Sequence, residues 1–333
     1  MPPSPEEKPS VPVMNIGVTG ASGFVGQALV RQIAESGRPC AAAYRGAVAS
    51  DLPPEVRPVV TGELARETDW SPFLQGLDVV VHAAARVHIL NDRSNDPLAE
   101  YRRVNVEGTL ALARQAAAAG VRRFVFLSTI KVNGEETAPG QAFRASDRPL
   151  PSDPYAISKL KAETGLAEVG AMHGMEIVIV RPPLVYGPGV KANFLSMMRW
   201  VDRGVPLPLG AVNNRRTMVA LPNLVDLVLL CTHHPAAAGK VILAGDGEDL
   251  STSSLLARLY AVMDRPNRLV SVPPSLLSAL ARLVGKGEIV RRLCGSLCVD
   301  VDGTRRLLGW TAPVSVDQGL RQTVEYYRKK QGS

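Results

Sequence analysis

The sequence predicts an α/β protein: a doubly wound parallel sheet with a smaller, less regular lobe interleaved toward the C-terminus. Three observations predict it. From residue 13 to about 181, short β-branched runs alternate with longer Ala/Leu-rich segments, the pattern of strand–helix units in a parallel sheet. The first such run leads directly into a glycine-rich turn with a helical segment behind it. After Pro182 the chain changes to Pro- and Gly-punctuated segments such as 186–189 and 206–210.

Residues 1–12, rich in proline and with Glu6, Glu7 and Lys8, lack the basic start and apolar stretch of a signal peptide and read as a disordered tail. The first strand is expected at 14–19 and its helix at 24–36. Further strands follow at 39–44, 56–61, 78–83, 123–128 and 176–181, with long helices at 97–119 and 154–173. Six parallel strands with crossovers on both faces make the sheet doubly wound. The dinucleotide-type sheet domain is placed at 13–185 and the second lobe at 186–333, with about 213–245 returning to the sheet domain.

Among the 333 residues, hydrophobic side chains make up 46% and charged ones 21%, so neither a disordered nor a fibrous chain fits. The net charge of +7 leaves three anionic partners in view: nucleic acid, a membrane surface and phosphorylated small molecules. Arg102, Arg103, Arg122 and Arg123 fall in the helix–strand framework without the interleaved aromatics of a stacking surface, which speaks against nucleic acid. No apolar run is long enough to insert in a membrane, the best being 276–284, interrupted by Arg282. Four scattered cysteines, Cys40, Cys231, Cys294 and Cys298, suit a reducing cytoplasm and offer no metal-site spacing.

Two constellations carry chemistry. In Thr19-Gly20-Ala21-Ser22-Gly23-Phe24-Val25-Gly26 the glycines allow a tight turn and close approach to a pyrophosphate, whose charge suits the helix N-terminus behind it. The second is Tyr155 and Lys159, four apart behind Ser152-Asp153-Pro154. Asp153 is a good N-cap and Pro154 suits the first helical position, so both side chains share a face near a helix start. Bringing a tyrosine with pKa near 10 toward neutrality takes about three units, or about 4 kcal/mol. One ammonium about 4 Å away supplies that much at an effective dielectric of about 20, so Lys159 is expected to tune Tyr155 downward.

Together these motifs resemble the extended short-chain dehydrogenase/reductase family of nucleotide-sugar epimerases, dehydratases and reductases, over almost the whole chain. The resemblance implies a Rossmann-type fold. It also implies that Gly20, Ser22, Gly23, Phe24, Val25 and Gly26 line the cofactor pyrophosphate, with Glu63 and Leu64 toward the adenine. Ala83, Ala84 and Ala85 would lie beside the cofactor, as would Asn105, Ser128 and Pro182. In the same pattern Thr129, Tyr155 and Lys159 are the catalytic hydroxyl, the proton shuttle and the ribose-binding lysine. Arg181-Pro182-Pro183-Leu184-Val185-Tyr186-Gly187-Pro188-Gly189 is similar to the family's RPxxVYGPG, and Thr129, Lys131, Asn193 and Arg216 would meet substrate.

Departures narrow the chemistry. The family's 4,6-dehydratases carry Asp-Glu where Ile130 and Lys131 stand, so water removal of that kind is not expected. Leu184 replaces an asparagine usual in 4-epimerases. After the second expected strand comes Tyr44-Arg45-Gly46 rather than a carboxylate for the ribose hydroxyls, so Arg45 favours NADP(H) ahead of NAD(H).

Within the family, residues 190–200 and 214–216 resemble a bacterial surface-polysaccharide group. It includes UDP-4-keto-6-deoxy-N-acetylglucosamine reductases, which form UDP-N-acetylquinovosamine, and UDP-glucose 4-epimerase relatives. Met197, Met198 and Trp200 read as core packing. The leading expectation is a cytoplasmic, homodimeric NAD(P)-dependent reductase of a UDP-linked 4-keto-hexosamine, paired through helices 97–119 and 154–173. A 4-epimerase is the alternative, and a non-catalytic cofactor-sensing member a further one.

Overall fold

The computed structural model describes residues 14–48, 52–87, 96–283, 285 and 287–332. The N-terminal tail expected at 1–12 lies outside them. Strands β1 (Ile16–Thr19), β2 (Cys40–Tyr44), β3 (Val56–Val60), β4 (Val79–His82), β5 (Arg123–Leu127), β6 (Glu176–Arg181) and β9 (Val241–Leu243) form a seven-stranded sheet in the order β3-β2-β1-β4-β5-β6-β9. Every pairing in it is parallel. Each expected strand is present to within two residues at either end, and β9 extends the sheet by one.

Side chains of successive strand residues enter opposite layers. Val18, Val79, Val81, Val125, Val178 and Val180 pack with Leu29 and Ile33 of α1 (Phe24–Glu35) and with Leu224 and Val228 of α7 (Leu221–Cys231). Val80, Phe124, Phe126 and Ile177 pack on the other face with Phe73 of α2 (Ser71–Leu74), Leu112 of α4 (Thr109–Ala118) and Leu166 of α5 (Pro154–His173). Both faces are covered, which is why the strands read as continuous apolar runs rather than alternating ones. Full burial of Leu29 or Leu112 stabilises the fold by about 2 kcal/mol each.

The helix expected at 97–119 is interrupted. It runs as α3 (Pro97–Tyr101), then a wide π-helical stretch Arg102–Gly108, then α4. The wider turn brings Asn105 fully inside.

A second core lies under the three-stranded sheet β10-β8-β7, made of β7 (Leu184–Tyr186), β8 (Arg216–Ala220) and β10 (Asp249–Leu250). Helices α6 (Ala192–Asp202), α8 (Thr252–Val262) and α12 (Val316–Gln331) close over it, burying Tyr186, Phe194, Met197, Met198 and Tyr260. Helices α9 (Pro274–Leu283), α10 (Gly287–Cys294) and α11 (Asp302–Leu308) complete the chain. Trp200 departs from its expected core position: it is 38% exposed, on the outer side of α6.

Candidate functional site

Strand order turns outward in both directions between β1 and β4. The carboxyl ends of β1, β4, β5 and β6 therefore lie side by side around a crevice, the place where open α/β sheets bind ligands.

At the end of β1 the glycine turn folds tightly. Gly20 has φ +70°, and a Cβ there would stand 2.7 Å from the Ala84 backbone N; one on Gly26 would stand 2.0 Å from the Gly20 carbonyl oxygen. Both positions need glycine, one for its conformation and both for the close approach. Gly23 donates its N–H to Gly20 O at 2.8 Å and serves as N-cap of α1 without any capping side chain. The first-turn N–H groups of α1, at Phe24 and Val25, thus have no side chain in front of them, and Ser22 is exposed beside them. That arrangement fits a pyrophosphate.

The neighbouring strand ends supply the rest of the crevice. Ala83, Ala84 and Ala85 follow β4, with Ala84 donating to Thr19 Oγ1 at 3.4 Å. Arg45 is exposed just beyond β2, with no acidic residue beside it in the chain. Glu63 pairs with Arg103 at 3.6 Å, and Leu64 packs against the backbone of Gly108. Asn105 is a structural bridge: its Oδ1 accepts from Arg86 N at 2.8 Å, and its Nδ2 donates to Arg86 O and to Ser158 Oγ, both at 3.0 Å.

Helix α5 begins as its sequence foretells. Asp153 Oδ1 accepts the Ala156 N–H at 2.7 Å, and Pro154 occupies the first turn. Tyr155 lies edge-on to Tyr101 with ring centroids 6.2 Å apart. One turn on, buried Lys159 donates to Leu127 O at 2.6 Å and sits 4.2 Å from the centre of the Phe126 ring. That bond pins Lys159 to the end of β5, two residues before Thr129. Thr129 itself caps a short 3-10 turn (Ile130–Val132) by accepting from Lys131 N at 3.3 Å. Pro182 O accepts the Ile130 N–H at 3.0 Å and ties the Thr129 segment to the end of β6.

The electrostatics reverse one expectation. Burial pushes the Tyr155 phenol up, and Asp153 and Tyr101 beside it add to the effect. Burial lowers Lys159 from 10.5 to about 7, partly opposed by Glu163. Lys159 therefore does not bring Tyr155 down: its ammonium is weakened and turned to a carbonyl, while the charge acting on the phenol is the negative Asp153.

Other side chains placed in the crevice by sequence face structural partners. Ser128 donates to Glu163, which also receives Arg181, and Arg181 reaches Asn133 Oδ1 at 3.0 Å, a buried chain under the Thr129 segment. Lys131 pairs with Asp153 at 2.6 Å. Arg216, on β8, donates to Arg292 O at 2.6 Å and Gly295 O at 3.3 Å. Asn193 is exposed in the first turn of α6.

Two positioning groups have no counterpart in the motif reading, and a third, His82, lies in the run 81–85 that resembles the family's strand end, with no role of its own there. Glu163 continues the Tyr155–Lys159 face by one more turn, so extending the four-residue spacing would have found it. Tyr101 stands four residues before Asn105. His82 is buried between Thr19 Oγ1 at 2.6 Å and Thr109 Oγ1 at 3.0 Å, and burial, with Lys159 nearby, lowers it to about 3, so it is a neutral tether.

Residues 16–245 match the NAD dependent epimerase/dehydratase family. A UDP-glucose 4-epimerase of Vibrio cholerae is 43% identical over 317 residues, covering 94% of this chain and 95% of the relative. Among solved structures, the UDP-glucose 4-epimerase of Thermotoga maritima with UDP-glucose superposes with a TM-score of 0.77 at 24% identity, covering 96% of this chain and all of that one. The UDP-glucuronic acid 4-epimerase of Bacillus cereus in complex with NAD gives 0.76 at 21% identity, over 95% and 99% of the two chains. These two likenesses show the same fold.

Proposed function

Since the chain belongs to the NAD-dependent epimerase/dehydratase family, we propose that it carries out oxidation and reduction at C4 of a UDP-linked hexose or hexosamine, working as a 4-epimerase. The observation that carries this reading is the 43% identity with a UDP-glucose 4-epimerase across 94% of a chain in which Lys159, one helical turn after Tyr155, reaches the backbone of Leu127 two residues before Thr129.

Bound nicotinamide dinucleotide supplies the hydride acceptor and donor. Gly20, Gly23 and Gly26, with the open first turn of α1, hold its pyrophosphate, and Lys159 its ribose. Tyr155 exchanges a proton with the sugar O4, and Thr129 hydrogen-bonds the same oxygen, stabilising charge where it develops. Asn193 and Arg216 serve the nucleotide diphosphate, Arg216 by exchanging a carbonyl partner for phosphate. Two copies pair through the helical segments 97–119 and 154–173.

A second reading, net reduction of a UDP-4-keto-6-deoxy-hexosamine, is favoured by two observations. Arg45 follows β2 where a carboxylate would select NAD, which suits a dissociable NADPH, and Ile130 and Lys131 replace the acid–base pair of the dehydratases.

Incubation with UDP-glucose or UDP-N-acetylglucosamine and no added cofactor, followed by chromatography, separates the two. The expected outcome is the C4 epimer at equilibrium. Absence of epimer, together with NADPH-dependent gain of two hydrogens by UDP-4-keto-6-deoxy-N-acetylglucosamine, would replace the first reading by the second.

A further inference from the structure

We propose that two clamps, Ser128–Glu163 and Lys131–Asp153, set the Thr129 hydroxyl relative to the Tyr155 phenol, with Ser128, Glu163 and Lys131 as positioning residues for the C4 chemistry. The inference rests on the reading above, in which Thr129 and Tyr155 meet the same sugar oxygen. Two segments carry that pair: residues 127–133 at the end of β5, and the first half of α5. Three side-chain bonds join them. Lys159 Nζ donates to Leu127 O at 2.6 Å, Ser128 Oγ donates to the Glu163 carboxylate, and Lys131 Nζ donates to Asp153 Oδ2 at 2.6 Å. Along the helix, Asp153 precedes Tyr155 and Glu163 follows Lys159; along the other segment, Ser128 precedes Thr129 and Lys131 follows it. The clamps therefore bracket both members of the pair.

The inner clamp is buried throughout. Arg181 donates to Glu163 from Nε at 3.0 Å and from Nη2, and its Nη1 donates to Asn133 Oδ1 at 3.0 Å. Asn133 belongs to the same segment as Thr129, so the carboxylate holds that segment at both ends. A carboxylate receiving several charge-assisted bonds away from water has one geometry open to it. The outer clamp is partly buried. Asp153 accepts the Ala156 N–H through Oδ1 at 2.7 Å and Lys131 through Oδ2, so one carboxylate joins Lys131 to the turn that carries Tyr155. Lys131 also lies 3.9 Å from Glu135, which Arg291 of α10 meets at 3.2 Å; Asp153 is the nearer partner.

Thr129 needs such support because the strand has ended before it. Strand β5 stops at Leu127, and Thr129 only caps the short turn that follows. Backbone bonds from Ser128 N to Val180 O at 2.8 Å and from Ile130 N to Pro182 O at 3.0 Å tie the segment to β6, and the side-chain clamps alone tie it to α5 near Tyr155 and beyond Lys159. A displacement of about 1 Å between reacting groups costs about a hundredfold in rate. The geometry also gives Lys131 a different task from the substrate contact that the family resemblance implies, since its ammonium is turned to Asp153. The two tasks differ in what they change: a substrate contact sets KM, whereas placement of the proton-handling pair sets kcat.

Ser128→Ala and Lys131→Met each open one clamp and leave the buried Glu163–Arg181 pair in place. Steady-state kinetics use whichever sugar the wild type turns over: UDP-glucose, UDP-N-acetylglucosamine, or UDP-4-keto-6-deoxy-N-acetylglucosamine with NADPH. In each variant kcat should fall by about ten- to a hundredfold, with KM and the cofactor affinity from fluorescence titration within about threefold of wild type. Lys131→Arg keeps a cation that reaches Asp153 and should recover most of the loss. A raised KM with unchanged kcat in Lys131→Met would overturn the proposal by assigning Lys131 to substrate. Wild-type kcat in both variants, or Lys131→Arg as slow as Lys131→Met, would overturn it as well. Amide hydrogen exchange over residues 128–133 needs no turnover; it should quicken in both variants, and unchanged exchange would refute the clamps. A wild type inert toward all three sugars would refute the C4 reading itself, and the exchange rates then decide the clamps alone.

Discussion

Burial opposes ionisation of the Tyr155 phenol, with Asp153 and Tyr101 adding to it, so the side chain is poised to give a proton before it takes one. Removing only the hydroxyl isolates that role. Tyr155→Phe should lower turnover by about a hundred- to ten-thousand-fold, the usual range for a general acid–base group, while cofactor affinity measured by fluorescence titration stays close to wild type. Turnover within threefold of wild type would exclude Tyr155 as the shuttle. The Tyr155–Lys159 spacing is legible because helical periodicity alone puts the two on one face. The sign of the electrostatic effect was not, because it depends on what burial does to both groups and on where Lys159 Nζ points. In the fold that is a backbone carbonyl, Leu127 O.

At the scale of the element, α5 and the long helix before it contrast. The start of α5 follows from Asp153 and Pro154, local chemistry that needs no knowledge of the rest of the chain. The same Asp153 also holds Lys131 at 2.6 Å, a link the sequence does not announce because the partners come from different elements. Asp153→Asn should keep the cap and lose only the ion pair, whereas Asp153→Ala should lose both and cost about 1 kcal/mol more in urea or thermal unfolding. Equal stability of the two variants would show that the cap contributes nothing. Before α4, apolar periodicity reads as one continuous helix, yet the chain widens at Arg102–Gly108. Asn105 decides this, since its three hydrogen bonds to Arg86 and Ser158 bridge segments far apart in sequence.

For the whole molecule, two buried basic side chains make stability depend on pH in the same direction. Lys159 falls from 10.5 to about 7 and His82 from 6.5 to about 3 on folding. Between the folded and unfolded values the unfolded chain binds more protons, so stability rises with pH, from 3 to 6.5 through His82 and from 7 to 10.5 through Lys159, at up to about 1.4 kcal/mol per unit. Lys159→Met should therefore raise the melting temperature at pH 7, by as much as about 5 kcal/mol of relieved desolvation allows, with the gain shrinking toward pH 10. Parallel melting curves for the two proteins across pH 7 to 9 would show that the buried ammonium does not set this slope.

What the sequence by itself determined about this protein is local and periodic: strand runs, the glycine turn, the capped start of α5 and the placing of Tyr155 and Lys159 one turn apart. These follow from backbone conformation and from spacings within a few residues. Tertiary structure alone decided the π-helical break around Asn105 and the weakened charge on Lys159. It also decided the Ser128–Glu163–Arg181 chain beneath Thr129, and which apolar residues of α6 and α9 stay outside. Each of these depends on desolvation or on a partner from a distant segment, and neither exists until the chain has closed on itself.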